Sequence, residues 1–522
     1  MRPLEILLLL ANLLTFIVLS IPRLGAVRWI PYSVLIAIVI AGIQALIEGP
    51  RWQMIPAYTL SGVFFLIWLM QNIAPPQKPA GKRWINRLIA GLAVGLGILG
   101  MAISIALPII LPVFHFPHPT GPYAIGTLTY HWVDVNRPEV FTSDPNDHRE
   151  VMVQIWYPAK PNYSSSRAPW LPDAEVVGPA LARLLFHVPE FTLGHLKYSI
   201  ANSIPSAPMA DGETSYPLLI FLHGFLGFRQ MNTYQVEELV SHGYIVAGID
   251  QPYAAAAAVF PDGRQVEGWD RAHLAPLVNQ SIIPVEIAPI LNGHAFKDGI
   301  VPYLAQDAIF TLDQLAALNK ADPNGILTGR LDLQHAGIFG ISLGGIVGPE
   351  ACRLELRFQA CLVEDAPMPA DVVRVGLQQP TMWISRDAKT MELEGWSHTG
   401  AAGIDISQTS MRAVFQSLPG GGYLVLVRGM FHLNLTDIPY WSPLTSRLGL
   451  TGPINGQQAH NIINAYSLAF FDHELKGQPA LLLNGPAKQY PEVHFETRRS
   501  EFTASMCMST AVSPIPETAK CK

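Results

Sequence analysis

The first 114 residues are dominated by four long apolar runs, at about 4–21, 30–48, 55–73 and 88–114. A helix needs about 20 apolar residues to cross the hydrocarbon layer of a bilayer, and a charged side chain near its centre is strongly unfavourable. The run 88–114 contains no charged residue. The pattern therefore predicts an all-α transmembrane region of four spans. A cleaved signal peptide is the alternative for the first run, and a buried core helix is the alternative for the second.

From about residue 123 the apolar residues occur in short runs that are separated by turns. Residues 150–158 alternate between apolar and polar side chains, as a half-buried strand does. The further strand-like runs are 217–222, 244–249, 337–341, 360–363, 381–384 and 423–427, and the helix-like runs are 234–242, 302–319, 343–354 and 461–475. Strands that alternate with helices predict an α/β domain with a doubly wound, mostly parallel sheet.

Turn residues and breaks in this rhythm divide the chain further. The segment HFPHPTGP contains three prolines and a glycine, which predicts a linker. Residues 253–299 interrupt the alternation of strands and helices, and long excursions of this kind usually form caps over a site. The expected divisions are a transmembrane region at 1–114, a linker at 115–122, an α/β domain at 123–500 with a cap-like excursion at 253–299, and a C-terminal tail at 501–522.

The charge content agrees with a membrane portion and argues against one class of partner. Charged residues make up 14% of the chain, against about 25% in average soluble proteins. The net charge is −6, and the large domain has no basic patch. We therefore expect no nucleic-acid partner.

Basic residues near the ends of the apolar runs predict the orientation, because Lys and Arg concentrate on the cytoplasmic side of a membrane. Arg2 and Arg51 lie on one side. The loops on the other side contain Arg23, Arg28, Lys78, Lys82, Arg83 and Arg87. We therefore expect a multi-pass protein of the cell membrane whose large domain is extracytoplasmic.

The four cysteines, Cys352, Cys361, Cys507 and Cys521, all follow the apolar region. This is the side of the membrane on which disulfides can persist. A bond between Cys507 and Cys521 could staple the tail. A bond between Cys352 and Cys361 is less clear, because short helix-to-strand spacings often misalign the Cβ atoms. Four unpaired thiols remain an alternative.

The strongest candidate for a catalytic motif is Gly340-Ile341-Ser342-Leu343-Gly344. A G-x-S-x-G pattern alone is weak, but here a strand-like run precedes it and a helix-like run follows it. This is the context of a nucleophile elbow, in which glycines relieve a strained turn and the serine hydroxyl is exposed. The motif therefore predicts an α/β-hydrolase fold with Ser342 as its nucleophile.

A serine nucleophile needs a neighbouring base that is held by a carboxylate. In this fold the chain order is Ser, then Asp or Glu, then His. The strand-like run 360–363 ends in Glu364-Asp365, and His432 lies in a short loop after 423–427. The alternatives for the acid and the base are Glu364, Asp387, His398, His460 and His473. The predicted triad is Ser342, Asp365 and His432.

Acyl transfer also needs backbone donors for the developing oxyanion. The N–H of Leu343, directly after the nucleophile, is one candidate, and the N–H of Phe225 in the loop after 217–222 is the other. His223 precedes the serine in the chain, so we expect it to shape this loop. This chemistry requires no metal or organic cofactor, and the histidines of HFPHPTGP lack further ligands.

Several ordered segments between about residues 150 and 477 resemble one known family. They are VQIWYPA, PLLIFLHGFLGFRQ, LVSHGYIVAGID, GISLGG, CLVEDAPMP and VRGMFHLNLTD. They resemble the plasma-type platelet-activating-factor acetylhydrolases and, more broadly, the dienelactone-hydrolase-like and polyester-hydrolase branch. The resemblance implies the same triad, Ser342, Asp365 and His432, with Phe225 and Leu343 as oxyanion donors. The four apolar runs have no counterpart in that family.

Together these features predict a membrane-anchored serine esterase that acts through an acyl-enzyme. Short-acyl phospholipids or other lipid-like esters are the expected substrates. A peptidase, an amidase or a polyester hydrolase would use the same triad, and a non-catalytic membrane sensor with a hydrolase-like ectodomain is a further alternative. The oligomeric state is not predicted.

Overall fold

The computed structural model describes residues 1–21, 32–73, 83–161 and 165–498. Its N-terminal part is a bundle in which the first helix contacts each of the others. The helices of the bundle are α1 (Pro3–Ser20), α2 (Ser33–Ile47), α3 (Ile55–Ile73) and α4 (Arg83–Ile110). Each of the four predicted apolar runs is thus helical within the described residues.

The lengths of these helices decide which of them could cross a membrane. Among the described residues, Pro3–Ser20, Trp52–Ile73 and Arg87–Ile110 are long and apolar enough. Helix α2 has 15 residues, fewer than the about 20 that a crossing needs, so the predicted four spans are not confirmed. Helix α4 ends at Ile110 and not at 114, because Pro112 disfavours a helical conformation in the residue before it.

Some predicted features lie outside the described residues. They are Arg23, Arg28, Lys78 and Lys82, on which the orientation depends, and the tail at 501–522 with Cys507 and Cys521. Cys352 and Cys361 are described, and both are buried free thiols. The orientation and the domain boundaries therefore stay predictions.

The α/β domain is built around one large twisted sheet. Its strands and those of two small hairpins are β1 (Ala124–Pro138), β2 (His148–Ala159), β3 (Ile204–Pro205), β4 (Tyr216–Leu222), β5 (Ile245–Asp250), β6 (Ala257–Val259), β7 (Gln265–Glu267), β8 (Ile290–Leu291), β9 (His294–Ala295), β10 (Leu331–Ile341), β11 (Phe358–Glu364), β12 (Thr381–Ser385), β13 (Gly422–Val427) and β14 (Val493–Arg498). In the described residues the sheet has ten strands in the order β14-β13-β12-β11-β10-β4-β5-β2-β1-β3. Strands β5, β4, β10, β11, β12 and β13 run parallel, and β2 and β14 are antiparallel neighbours at their two sides.

Helices cover both faces of this sheet. They are α5 (Ala174–Leu184), α6 (Thr233–Ser241), α7 (Arg271–Ile282), α8 (Val301–Lys320), α9 (Leu343–Leu354), α10 (Ala370–Val375), α11 (Ala388–Glu394), α12 (Ile404–Ser417), α13 (Ile438–Trp441) and α14 (Gly456–Lys476). Neighbouring residues of β4 point to opposite faces, so that Ile220 packs in one apolar core with Val347 of α9. Phe221 packs in the other core with Phe470 of α14. Burial on both faces explains the continuous apolar run 217–222, and the predicted doubly wound, mostly parallel sheet is confirmed.

The predicted linker at 115–122 packs against the α/β domain. Phe116 is buried, and its ring lies 5.4 Å from the ring of Tyr440. The backbone N–H of Thr120 donates to the carboxylate of Glu238 at 3.0 Å. The segment is therefore docked on the α/β domain, and the last apolar helix already ends before it, at Ile110.

The bundle and the α/β domain contact each other at the turn that follows α2. The Tyr198 hydroxyl donates to the carbonyl of Pro50 at 2.7 Å. The neighbouring Arg51 is buried, with its Nε 2.7 Å from the carboxylate of Glu5 in α1 and its Nη1 donating to the carbonyl of Leu111 at 2.6 Å. This ion pair ties the first helix, the turn and the end of α4 together.

Candidate active site

Ser342 occupies a sharp turn between the end of β10 and the start of α9. Its backbone has φ +55° and ψ −116°, a region that non-glycine residues rarely adopt. The Ser342 N–H donates to the carbonyl of Glu364 at 2.9 Å, which holds the turn against β11. A strained serine held in this way is typical of a nucleophile elbow.

Three glycines allow the backbone to pass close to Ser342. A Cβ on Gly344 would collide with the carbonyl of Leu222, and a Cβ on Gly340 would collide with the backbone of Gly344. A Cβ on Gly224 would lie 3.2 Å from the Cβ of Ser342. The close approach of these segments explains why the motif needs glycine on both sides of the serine.

Asp365 directly follows β11 and pairs with His432. The Nδ1 atom of His432 lies 2.5 Å from Oδ2 of Asp365, and the hydroxyl of Ser385 donates to Oδ1 at 2.8 Å. An ionised carboxylate only accepts hydrogen bonds, so Nδ1 of a neutral His432 carries the proton and Nε2 is a free base. The structure thus brings the predicted acid and the predicted base together.

The surroundings of Asp365 keep it ionised. Burial by itself raises the pKa of this carboxyl, but the Arg386 guanidinium and the hydrogen bond from His432 outweigh burial and hold the pKa well below its usual range. The Nη2 atom of Arg386 lies 2.7 Å from Oδ2 of Asp365. Asp365 is therefore a permanent negative charge beside His432.

His432 begins a short 3₁₀ helix, His432–Leu435, in the loop after β13. Its side chain is 16% exposed, and it lines the same cavity as Ser342. Parallel strands end at the same edge of a sheet, where sites in α/β folds usually form. The hydroxyl, the carboxylate and the imidazole follow β10, β11 and β13 at this edge.

The alternative acids have other partners. Glu364 is fully buried and accepts from Nε2 of Gln235 at 2.5 Å. Burial raises the pKa of Glu364 to about 8, so this carboxyl is neutral at pH 7. Asp387 is the N-cap of α11 and accepts from the N–H of Thr390 at 2.7 Å. Both carboxyls therefore have structural roles.

The alternative bases also have other partners. His398 is exposed and pairs with Asp405 at 3.0 Å. His460 is buried, and its Nε2 lies 3.0 Å from the carbonyl of Thr436. His473, near the end of α14, has its Nδ1 3.1 Å from the carbonyl of Gln478. Of the candidate histidines, His432 is the one that lines the cavity of Ser342.

The predicted oxyanion donors Phe225 and Leu343 both line this cavity. Leu343 is the first residue of α9, and the first N–H groups of a helix have no acceptor within the helix. The loop that contains Phe225 is shaped by His223, whose Nδ1 lies 2.7 Å from the carbonyl of Gly224. The Nε2 atom of His223 accepts from the N–H of Gln251 at 3.2 Å. Burial lowers the pKa of His223, which agrees with a neutral, structural ring.

The cavity beside Ser342 has a volume of about 210 Å³ and mostly apolar walls. One wall is α7, which contributes Ala275, Val278 and Ile282. This helix belongs to the excursion at 253–299, which therefore covers the site. A cavity with these walls can hold a short acyl or alkyl group next to a serine hydroxyl.

Comparisons with known proteins place this geometry in a family context. The family model of platelet-activating factor acetylhydrolase, isoform II, matches residues 110–274. The platelet-activating factor acetylhydrolase of Gallus gallus is 22% identical over 395 residues, which cover 69% of this chain and 84% of that protein. The corresponding protein of Cavia porcellus is 24% identical over 372 residues, which cover 69% of this chain and 78% of that protein.

Among solved structures, a ferulic acid esterase from Streptomyces cinnamoneus is similar with a TM-score of 0.57 and 24% identity, over 74% of this chain and 99% of that chain. The chain is an α/β-hydrolase similar to the platelet-activating-factor acetylhydrolases. The residues that match the family model include Phe225 and end before Ser342.

Sequence reasoning missed three residues of the hydrolase that surround the His432–Asp365 pair. Arg386 contacts Asp365, both oxygens of Glu394 lie 3.2 Å from the backbone N of His432, and the ring of Trp396 lies 5.4 Å from the imidazole. The one available signal was an arginine directly after the buried strand Thr381–Ser385. The other two follow a helix and carry no motif.

Proposed function

We propose that this hydrolase is a membrane-anchored serine esterase that cleaves carboxylic esters through an acyl-enzyme. The observation that supports this most strongly is the combination of a strained serine at an elbow with a 2.5 Å His432–Asp365 contact beside the same cavity. A Ser, His and Asp constellation is recognised by geometry and roles.

In the proposed mechanism, Oγ of Ser342 attacks the carbonyl carbon of the ester. Nε2 of His432 takes the hydroxyl proton and then donates it to the leaving alcohol, while Asp365 orients the imidazole and stabilises its protonated form. The N–H groups of Leu343 and Phe225 hold the oxyanion of the tetrahedral intermediate. Water, activated by His432, then hydrolyses the acyl-enzyme and restores Ser342.

The proposed substrates are short-acyl phospholipids or other lipid-like esters. The mostly apolar cavity of about 210 Å³ favours a short acyl group, and the relatives from Gallus gallus and Cavia porcellus are named acetylhydrolases. Three helices of sufficient length and apolarity support an anchor in a bilayer. In this proposal residues 1–114 form the membrane region, and the hydrolase domain, about 123–500, acts on the extracytoplasmic side.

The test uses the full chain in detergent micelles, with p-nitrophenyl esters, p-nitroanilides and a short-acyl phospholipid as substrates. We expect turnover of the esters and labelling by a fluorophosphonate probe. Ser342→Ala should abolish both, whereas Ser397→Ala, a change at an exposed serine near the site, should abolish neither. Hydrolysis by Ser342→Ala at the wild-type rate would refute the proposed nucleophile, and faster turnover of anilides would favour an amidase.

The membrane arrangement has a separate test. A reporter that is active only outside the cytoplasm is fused to the C-terminus of the full chain and expressed in intact cells. Activity of this reporter would agree with an extracytoplasmic hydrolase domain. A signal from a cytoplasmic reporter at the same position would overturn the orientation and leave the catalytic proposal unaffected.

A further inference from the structure

Arg386 lies between two carboxylates next to the proposed triad. Its side chain has no exposed surface, and its Nη2 is 2.7 Å from Oδ2 of Asp365. Its Nη1 contacts the carboxylate of Glu394, and its Cζ lies 4.6 Å from the centre of the Trp396 ring. The rigid fork of a guanidinium suits such a site, because it can bind two carboxylates in a fixed geometry.

Glu394 extends this contact to the base. Both of its oxygens lie 3.2 Å from the backbone N of His432, so that the carboxylate accepts the N–H of the residue that carries the imidazole. Asp365 meanwhile accepts from the imidazole itself at 2.5 Å. His432 is therefore held at its backbone and at its side chain by two carboxylates that share one guanidinium.

We propose that Arg386 and Glu394 form a positioning pair for the reaction, in which Arg386 fixes the carboxylate of Asp365 and Glu394 fixes the backbone of His432. The salt bridge between them then keeps the acid and the base in a constant relative position. This inference rests on the proposed function of Ser342, Asp365 and His432 as a triad. It adds two residues that contact the triad from behind and do not touch the substrate cavity themselves.

The charges of the group explain why the guanidinium has a second partner. If Arg386 paired with Asp365 alone, its positive charge would cancel the negative charge that the imidazolium of His432 needs. Glu394 restores one negative charge, so that Asp365, Arg386 and Glu394 together carry −1 beside the base. When His432 takes the proton of Ser342, the cluster becomes neutral, and a neutral cluster is favoured in a buried site of low dielectric.

Charged groups approach His432 from several elements, and they set the direction of each expected change. Asp365 follows β11, Arg386 follows β12, Glu394 ends α11, and Arg271 of α7 lines the same cavity. Arg386 opposes protonation of His432, whereas Asp365 and Glu394 favour it. The acid limb of the pH profile of kcat/KM reports the protonation of the essential base in the free enzyme.

The experiment measures pH profiles of kcat/KM for p-nitrophenyl acetate with the full chain and three variants. Glu394→Gln removes a negative charge, so the acid limb should move to lower pH. Arg386→Met removes a positive charge, so the limb should move to higher pH. Each shift should be about one unit, the lower end of the range for a charge within a few ångströms. In the double variant the acid limb should return close to its wild-type position. Its kcat should still lie below the wild-type value, because the salt bridge no longer fixes the relative position of Asp365 and His432.

Glu394 is partly exposed, so Glu394→Gln remains informative if Arg386→Met fails to fold. The melting temperature and the rate of fluorophosphonate labelling identify misfolded variants. A purely structural role would lower activity and leave the acid limb unmoved. That result would overturn this inference and leave the proposed function intact. Shifts of the acid limb in the same direction in both single variants would do the same. A wild-type chain without ester hydrolysis would overturn the proposed function and this inference with it.

Discussion

Glu364 and Asp365 are adjacent carboxyls with opposite charge states, and this difference can be tested. Burial raises the pKa of Glu364 to about 8, while Arg386 and His432 overcome burial and hold the pKa of Asp365 well below its usual range. At pH 7 Glu364 therefore carries a proton and Asp365 does not. Glu364→Gln replaces a neutral acid by a neutral amide of similar shape and should keep kcat/KM. Asp365→Asn should lower kcat by about 10⁴-fold, the order found when a triad loses its carboxylate.

The free energies of unfolding of the wild type and of Glu364→Gln should depend differently on pH. A carboxyl whose pKa rises on folding contributes fully below its unfolded pKa, and its contribution is lost as the pH rises towards the folded pKa. For Glu364 this window runs from an ordinary value of 4.5 to about 8. At about 1.4 kcal/mol for each unit, the free energy of unfolding of the wild type should fall by roughly 4 kcal/mol across this window. Glu364→Gln has no proton to release and should lack this loss.

The assay compares the wild type, Glu364→Gln and Asp365→Asn in the same detergent. Ester hydrolysis is measured at pH 7, and the melting temperature is followed by intrinsic fluorescence between pH 5.5 and pH 8. We expect the melting temperature of the wild type to fall more than that of Glu364→Gln over this range. Equal slopes would show that Glu364 is ionised in the folded protein. A loss of activity in Glu364→Gln as large as in Asp365→Asn would show that the acid has been assigned to the wrong residue.

Three further substitutions test the cavity, the bundle contact and a rejected acid. Val278→Trp should fill much of the cavity, so kcat/KM should fall more for butyrate and hexanoate esters than for acetate in a p-nitrophenyl series. Arg51→Leu removes one of the two arginines that pair with the buried Glu5. Unfolding should therefore become easier by about 1.5–3 kcal/mol, the range for a hydrogen bond to a charged group, visible as a lower melting temperature with ester hydrolysis retained below it. Asp387→Ala removes a helix cap that contributes about 1 kcal/mol. The melting temperature should therefore fall slightly, and kcat/KM should stay unchanged. A loss of activity would make Asp387 a candidate for the catalytic acid again.

The elements that could be predicted are those whose burial appears along the chain as a regular pattern of apolar residues. The parallel strands are covered on both faces, so each appears as an unbroken apolar run such as 217–222. Strand β1 was missed because it lies near the edge of the sheet, where Val133 and Val135 remain exposed. Helix α7 was missed because Pro276 lies inside it, and proline normally argues against a helix interior.

The candidate site divides in the same way. Ser342 lies in a recognisable motif. Asp365 directly follows one buried strand, and His432 lies in the loop after another. Because the sequence reveals these strands, it also indicates where both residues lie. Arg386 and Glu394 meet the proposed triad through contacts between elements, and no spacing along the chain records such contacts. Their roles follow from tertiary packing, which a single sequence does not contain.

The geometry also bears on whether the domain catalyses a reaction or only senses a ligand. Ser342 and Asp365 both have positive φ values, and such strained residues cost about 1–3 kcal/mol each. Arg386, with no exposed surface, adds the desolvation of a buried charge. A domain that only binds a ligand would be more stable without these two strained residues and this buried charge. A hydrolase needs them, because they present a hydroxyl, an ionised carboxylate and a free imidazole nitrogen at one cavity. The family model matches only residues 110–274, and these strained positions lie beyond its end, so they support catalysis independently of that match.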